Sequence, residues 1–525
     1  MSDRTKLRRW ALLSVALFAL LAIWAAANPM FASPDETVHM VRAQGFADLD
    51  FTNPYRTDGI PIDEVRCYRF DPELSARCMN LVWPEGTVEV DAVSTDGYPP
   101  LLHIIAAVPA VAVDGLGGAY VMRWWTALVV AAGFGFAGML LTRPTMSRWP
   151  LVALVVAMTP QVLFIASSVN PSGIAAAAGA MLAAGLVSLS TPYRRSREVR
   201  VAIVVGAVAL VTNRRDGIVM LAAVLVATAP LWVPGLRASA GTALGRLRGR
   251  STAVTVMAGA VAVATVVLIG RWGAYAVDFV RNPGSRRDTA GFTQALGTIP
   301  GYFAEMIGRF GWLDTPVAPV FVATGLVLVA VLVLVAVAVS PTRLAVATLW
   351  AMVVVVAVVV VSEMIEYTYL QARYVFPVWF AALITAGVAL DRSEVPERLT
   401  RRLSAIMLVL WAGLQFGSLY TNQRRYSVGL SEAWDFSAVS QWDPPMLSNT
   451  ALLLAFAVAL ISSGAGWWWL WRDQPARIPA EADDVGGDGL PSVQRRDGRD
   501  AVDPGVHTTG SSGTRGVPRP EEVAT

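Results

Sequence analysis

The stretch "FASPDETVHMVRA" (residues 31–43) sets two adjacent carboxylates, Asp35 and Glu36, just ahead of His39. Residues four apart share one face of a helix, so Asp35 and His39 are expected to project together. A carboxylate held at a lipid–water boundary can accept a proton from an acceptor hydroxyl, or ligate a hard cation. The same residues also read as a helix start. Ser33 would be the N-cap, Pro34 the first helical residue, and Glu36 the closing member of a capping box. That second reading occupies Glu36 and leaves Asp35 free.

Further polar groups are candidates to converge on this stretch. "TNRRDG" (212–217) supplies Arg214, Arg215 and Asp216. Paired guanidinium hydrogen bonds match the oxygens of a phosphate, although arginines near a membrane surface also snorkel to headgroups. "LQARYVFP" (370–377) supplies Gln371, Arg373 and Tyr374, "GWLDTP" (311–316) supplies Asp314, and "YPPLL" (98–102) supplies Tyr98. Each alone also fits an interfacial anchor. No nucleotide-binding glycine motif, serine nucleophile elbow or zinc-type Cys/His spacing stands out. The chain holds 3 histidines, which argues against a histidine-rich metal site. Any metal would be a hard divalent cation such as Mg or Mn, with Asp35 and Glu36 as its carboxylate ligands.

The elements that must position these residues are membrane helices. The chain of 525 residues is 55% hydrophobic and 15% charged, and its apolar residues fall in long blocks free of charge. Blocks of about 20 apolar residues span lipid as helices. Candidate spans are 9–27, 119–142, 149–167, 172–190, 199–212, 217–234, 252–270, 316–339, 343–362, 374–390, 402–420 and 449–471. The expected fold is therefore an all-α membrane protein, a bundle of about 12 transmembrane helices over residues 1–471. The basic, apolar N-terminus resembles a signal peptide but is read as an uncleaved first span.

A shorter apolar piece, 99–113, contains Pro109 and is read as a juxtamembrane helix on the outer surface. With that assignment the arginine-rich loops fall on one side, which the positive-inside rule makes cytoplasmic. Both termini are then cytoplasmic, in a plasma membrane. The opposite face carries a long first loop (28–118) and every candidate site residue named above. Cys67 and Cys78 lie in that loop. A disulfide is favoured there over two free thiols. The glycine-, proline- and aspartate-rich tail, 472–525, reads as disordered. The net charge of +3 identifies no partner and gives no ground for nucleic-acid binding. Charges sit at the ends of the spans, which argues for chemistry at one face rather than ion-coupled transport.

Taken in order, these features resemble a known pattern: "PDE" with a nearby His after the first span, "YPPL" before a juxtamembrane helix, Arg123 opening the next span, "SSVNPSG", the basic turn, "GWLDTP" and "QARYVFP". The chain is similar to the domain-of-unknown-function family 2142 of polytopic membrane proteins. That family is in turn similar to GT-C glycosyltransferases, including protein mannosyltransferases and lipid A aminoarabinose transferases. The resemblance covers about residues 9–470.

The resemblance implies transfer of a sugar from a polyprenyl-phosphate donor to a cell-envelope glycan, lipid or protein at the outer face, in contact with membrane lipids. It makes Asp35 the general base or metal ligand, Glu36 its supporting acid, and Arg214 and Arg215 the phosphate-binding pair. Arg373 and Tyr374 are expected to hold donor or acceptor, and His39, Tyr98, Asp216, Asp314 and Gln371 complete the substrate-binding candidates. Two positions depart from the pattern. Ser172 stands where many relatives have an aspartate, and "YPPL" lacks a preceding lysine. A single displacement by the acceptor needs one base and inverts the anomeric centre. The alternatives are a polymerase or ligase acting on lipid-linked polysaccharide, and a non-enzymatic exporter or envelope-assembly protein.

Overall fold

A computed structural model describes residues 2–51, 55–57, 67–79, 88–90, 98–243, 291–366, 371–432, 434–436 and 439–472. The expected span 252–270 and the tail beyond 472 lie outside the described residues. Every other expected span is helical. Among the described residues eight helices are long and apolar enough to cross a membrane, or nine if one bent pair counts as a single span; the expected spans 199–212 and 217–234 are helical but not among them.

The chain begins with α1 (Asp3–Ala27), capped by the Ser2 hydroxyl. The first loop then carries α2 (Glu36–Ala47), a two-stranded antiparallel pair β1 (Tyr55–Thr57) and β2 (Val88–Val90), a 3-10 turn at Ala76–Cys78 and α3 (Leu101–Ala110). The juxtamembrane helix expected at 99–113 is this α3. Cys67 and Cys78 are disulfide-bonded, 11 residues apart in sequence.

Next come α4 (Gly115–Leu141), α5 (Trp149–Ala157), α6 (Pro160–Ala166), α7 (Pro171–Ser188), α8 (Arg197–Asn213) and α9 (Gly217–Ala243). After the undescribed segment, α10 (Phe292–Gly308) leads into a tight antiparallel pair, β3 (Arg309–Phe310) and β4 (Thr315–Pro316). The remainder is α11 (Pro319–Val339), α12 (Thr342–Glu366), a 3-10 turn at Ala372–Val375, α13 (Phe376–Asp391), α14 (Glu397–Val428) and α15 (Asn449–Arg472).

The expected span 149–167 is not one straight helix. It breaks between α5 and α6 with a bend of 68°. Pro160 is the cause: proline disfavours the helical region for the residue before it and has no N–H to continue the ladder. Thr159 accordingly turns extended and caps α6 through its hydroxyl. The carbonyls released by the break are satisfied by neighbouring helices. Met158 O accepts from Trp411 Nε1 and Gln415 Nε2 of α14, both at 2.8 Å, and Ala157 O accepts from Trp379 Nε1 of α13 at 3.2 Å. A broken helix inside a membrane protein needs such partners because lipid supplies none.

The centre of the bundle is α7 and α13, both almost entirely buried. Helices in lipid associate through close packing of small residues. The alanine- and glycine-rich α7 follows this rule. A Cβ at Gly179 would lie 2.4 Å from Pro377 Cα of α13. At the α1–α4 contact, a Cβ at Gly135 would lie 2.2 Å from the Ser14 hydroxyl.

Arg425, near the end of α14, fastens the first loop to the bundle. It donates to the carbonyl oxygens of Tyr68, Asp71 and Leu74 at 2.8, 2.9 and 2.6 Å, and to the Thr315 hydroxyl at 3.1 Å.

Candidate functional site

Asp35 is not a helix residue. Its backbone is left-handed, with φ of 64°, and its side chain caps nothing. The capping-box start at Ser33 is therefore not formed: α2 begins at Glu36, and the Glu36 carboxylate is used elsewhere. Asp35 Oδ2 accepts from Arg373 Nη2 at 2.6 Å, while Arg373 Nη1 donates to Pro34 O at 3.1 Å. Asn170 Nδ2 donates to the same Pro34 carbonyl at 3.0 Å. The Pro34–Asp35 turn is thus held from two other segments. The left-handed conformation costs on the order of 1 kcal/mol for an aspartate, and these bonds offset it. The Asp35 side chain keeps 41% exposure, against 2% for Arg373. Partial burial pushes the Asp35 carboxyl upward, but Arg373, His39 and Arg69 outweigh it and leave the group below the usual carboxylate range.

Glu36 has a different partner. Arg123 of α4 donates Nε to Oε1 at 2.8 Å and Nη2 to Oε2 at 2.5 Å, and the Val169 N–H adds a bond to Oε1 at 3.1 Å. Arg123 also donates to the carbonyls of Ala25, Asn28 and Pro29. Glu36 is fully buried and has no oxygen to spare for a substrate. Its expected role as supporting acid or metal ligand is corrected to that of a structural counter-ion. Among the described residues no three His, Cys, Asp or Glu side chains are grouped to hold a metal ion. With Glu36 held by Arg123 and the Val169 N–H, Asp35 is the open carboxylate of the pair.

His39 is buried beside His103 of α3, with Nδ1 and Nε2 3.2 Å apart, and its ring meets the Tyr98 ring edge-on. Desolvation, reinforced by Arg373, Arg214 and Arg42 and opposed by Asp35, lowers His39 to about 3. His39 is thus a neutral wall of the site rather than a proton carrier at neutral pH. The backbone carbonyl of Tyr98 accepts from Arg42 Nη2 at 3.1 Å.

The basic turn meets the 3-10 turn at one tyrosine. The guanidinium of Arg214 lies 4.1 Å from the Tyr374 ring centre and that of Arg373 lies 5.3 Å from it. Arg214 is 6% exposed, forks onto Asp216 at 2.7 and 3.1 Å, and donates to the Ser172 hydroxyl at 2.8 Å. Arg215 lies 5.0 Å over the Tyr98 ring. Arg373 joins Asp35 to Tyr374, Arg214 joins Tyr374 to Asp216, and Tyr98 meets both Arg215 and His39, so these candidates form one cluster. Arg373 Nε and Gln371 Oε1 are buried there without hydrogen-bond partners.

Asp314 does not join that cluster. It accepts from the Phe70 N–H at 2.9 Å and the Thr315 hydroxyl at 2.8 Å, and sits 3.8 Å from Arg425. Its expected substrate contact is corrected to a loop anchor. Glu305 of α10 is a residue the sequence reading missed. It accepts from the Ala372 N–H at 2.9 Å and so fixes the turn that carries Arg373. Burial raises its carboxyl, opposed by the Ala372 bond, Arg309 and Arg373. No local motif marks Glu305. Arg123 was visible as a charge in an apolar helix, and such a charge demands a buried counter-ion.

The fold and this site define a polytopic membrane protein with a carboxylate–arginine cluster beside its first loop. The chain belongs to the family described as predicted membrane protein (DUF2142), whose pattern matches residues 18–382. A comparison with curated proteins finds no match. Among solved structures the chain is similar to ArnT from Cupriavidus metallidurans in the apo state, at 17% identity and a TM-score of 0.42, covering 87% of this chain and 75% of that one. It is also similar to the same protein bound to undecaprenyl phosphate, at 18% identity and a TM-score of 0.41, covering 87% and 76%.

Proposed function

We propose that the chain is a membrane glycosyltransferase that takes a sugar from a polyprenyl-phosphate donor and gives it to a cell-envelope acceptor at the extracytoplasmic face of the plasma membrane. One observation carries the reading. A partly exposed carboxylate, Asp35, is paired with a buried arginine that shares a tyrosine ring with a second buried arginine.

The division of labour follows from charge. Negative charge grows on the leaving phosphate as the sugar–oxygen bond breaks, and guanidinium donors already in place stabilise it. Arg373 holds a spare Nε–H for this, and Arg214 lies across the same ring. The acceptor hydroxyl oxygen forms the new bond to the anomeric carbon, the lipid phosphate leaves with the electron pair, and the hydroxyl proton goes to Asp35. Arg373 lowers the basicity of Asp35 while the two are paired. A donor phosphate that draws Arg373 toward itself raises that basicity as the reactants assemble.

The test is a glycan and glycolipid profile of a strain lacking the gene, complemented with wild type or Asp35→Asn at matched membrane levels. The expected result is a sugar restored by wild type and not by Asp35→Asn. Equal restoration by both removes Asp35 from the chemistry.

A further inference from the structure

At the other end of α1, α4 and α8 lies a second cluster of charge that the proposed transfer does not use. The N-terminal turn of α1, the segment after α4 and the start of α8 enclose a cavity of about 110 Å³ lined by Lys6, Met139, Arg143, Tyr193, Ser196 and Glu198. The site described above lies beyond the opposite ends of α1 and α8. Seventeen helical residues of α8 separate the two, about 25 Å along the helix.

Arg143 gives this cavity its character. It is 5% exposed, its Nη2 donates to the Ser196 hydroxyl at 3.1 Å, and its guanidinium stacks 4.6 Å from the Tyr193 ring centre. Its Nη1 is buried with no hydrogen-bond partner. A buried charged donor without an acceptor is costly, and native structures normally supply one. The carboxylate in the lining does not. Glu198 is taken by Lys6, whose Nζ donates to it at 2.8 Å and to Asp3 at 2.9 Å. Burial lowers the Arg143 guanidinium, and the opposing pull of Glu198 and Tyr193 does not make up the difference. Ser196, through its hydroxyl, caps the N-terminus of α8, the end of a helix that favours an anion.

We propose that this cavity binds a phosphate group, with Arg143 as its principal ligand and the Tyr193 ring and Ser196 fixing the guanidinium plane. Lys6 keeps Glu198 neutralised, so the two cations of the lining outnumber its one carboxylate. The arginine bias of the loops assigns this end to the cytoplasm, where the phosphate is offered either by an anionic lipid of the inner leaflet or by a soluble phosphate. Basic pockets between helices on that side are suited to lipid headgroups.

Purified full-length protein is titrated with vesicles of phosphatidylglycerol, with vesicles of phosphatidylcholine and with inorganic phosphate, and bound lipid and thermal stability are followed. Wild type is expected to retain the anionic phosphate. Arg143→Gln is expected to bind it at least about tenfold more weakly, the loss of one charge-assisted contact. Lys6→Gln, at a partly exposed position with little risk to folding, is expected to weaken binding by leaving Glu198 unneutralised. Glu198→Gln is expected to strengthen it. Competition by inorganic phosphate identifies a soluble source, and dependence on phosphatidylglycerol alone identifies the lipid. Equal binding by wild type, Lys6→Gln and Glu198→Gln, or no preference for either phosphate source over phosphatidylcholine, overturns the proposal.

Discussion

Arg123 and Glu36 form a two-bond ion pair, at 2.8 and 2.5 Å, with both side chains essentially out of contact with solvent. The pair joins the first span-to-span contact, α1 against α4, to the start of the loop that carries Asp35. Breaking a buried pair leaves one uncompensated charge, which costs about 3–5 kcal/mol. Arg123→Ala and Glu36→Ala are each expected to yield little monodisperse protein after detergent extraction. The Arg123→Leu/Glu36→Leu double variant is expected to recover part of the loss, read from size-exclusion melting curves.

Asp35 is expected to behave in the opposite way. It is partly exposed and caps no helix, so Asp35→Asn should extract and melt like wild type while transfer falls by about 10²–10⁴-fold, the range for removing a general base. Asparagine also tolerates the left-handed backbone at this position. A stable variant with full transfer would require another base.

Arg214 is expected to act on donor binding. Arg214→Lys keeps the charge but loses the fork onto Asp216 and the stacking on Tyr374, so it should raise the KM for the donor nearly as much as Arg214→Ala. Ser172→Asp places a carboxylate beside the same guanidinium and should raise KM as well, by drawing Arg214 away from the phosphate. Steady-state kinetics with a polyprenyl-phosphate sugar checks both.

His39 makes folding stability depend on pH. Its folded value, about 3, lies below its ordinary 6.5. Between those values the unfolded chain binds more protons than the folded one, so stability rises with pH and levels off above about 6.5. His39 alone contributes about 1.4 kcal/mol per pH unit across the middle of that window. Melting temperatures measured from pH 7 down to pH 5 should fall in wild type and fall less steeply in His39→Gln.

The Cys67–Cys78 bridge closes a short loop whose interior carbonyls, those of Tyr68, Asp71 and Leu74, are gripped by Arg425. Closing a loop of this size is worth roughly 2–3 kcal/mol in the chain-entropy account. Cys67→Ser and Cys78→Ser should each lower the melting temperature, with reductant lowering wild type to the same point. An unchanged melting temperature in the variants and in reduced wild type would show that the Arg425 and Asp314 contacts hold the loop without the bridge.

Long apolar blocks made the helices legible, because a 20-residue segment without charge has few other fates. The break at Pro160 could be suspected from the proline but not its angle, which depends on Trp379, Trp411 and Gln415 arriving from distant segments. Asp35, Arg214, Arg373 and Tyr374 were legible as a set because the sequence places each at or just beyond the end of a span on the same face. Glu36 was misassigned for the same reason: position along the chain separates it from Asp35 by one residue, yet the left-handed turn at Asp35 sends the two carboxylates to different partners. Asp314 was misassigned because its partner, Arg425, lies in a helix end that carried no motif. Glu305 was missed because it serves a backbone N–H, an interaction that leaves no trace in residue types.

The Arg123–Glu36 pair also joins two segments that are made at different times. The partners are 87 residues apart, so the ribosome makes Glu36 on the order of ten seconds before Arg123. Until then Glu36 lacks the counter-charge it has in the folded protein. The finished pair fixes the exit of α1 against α4 and, with it, the turn bearing Asp35.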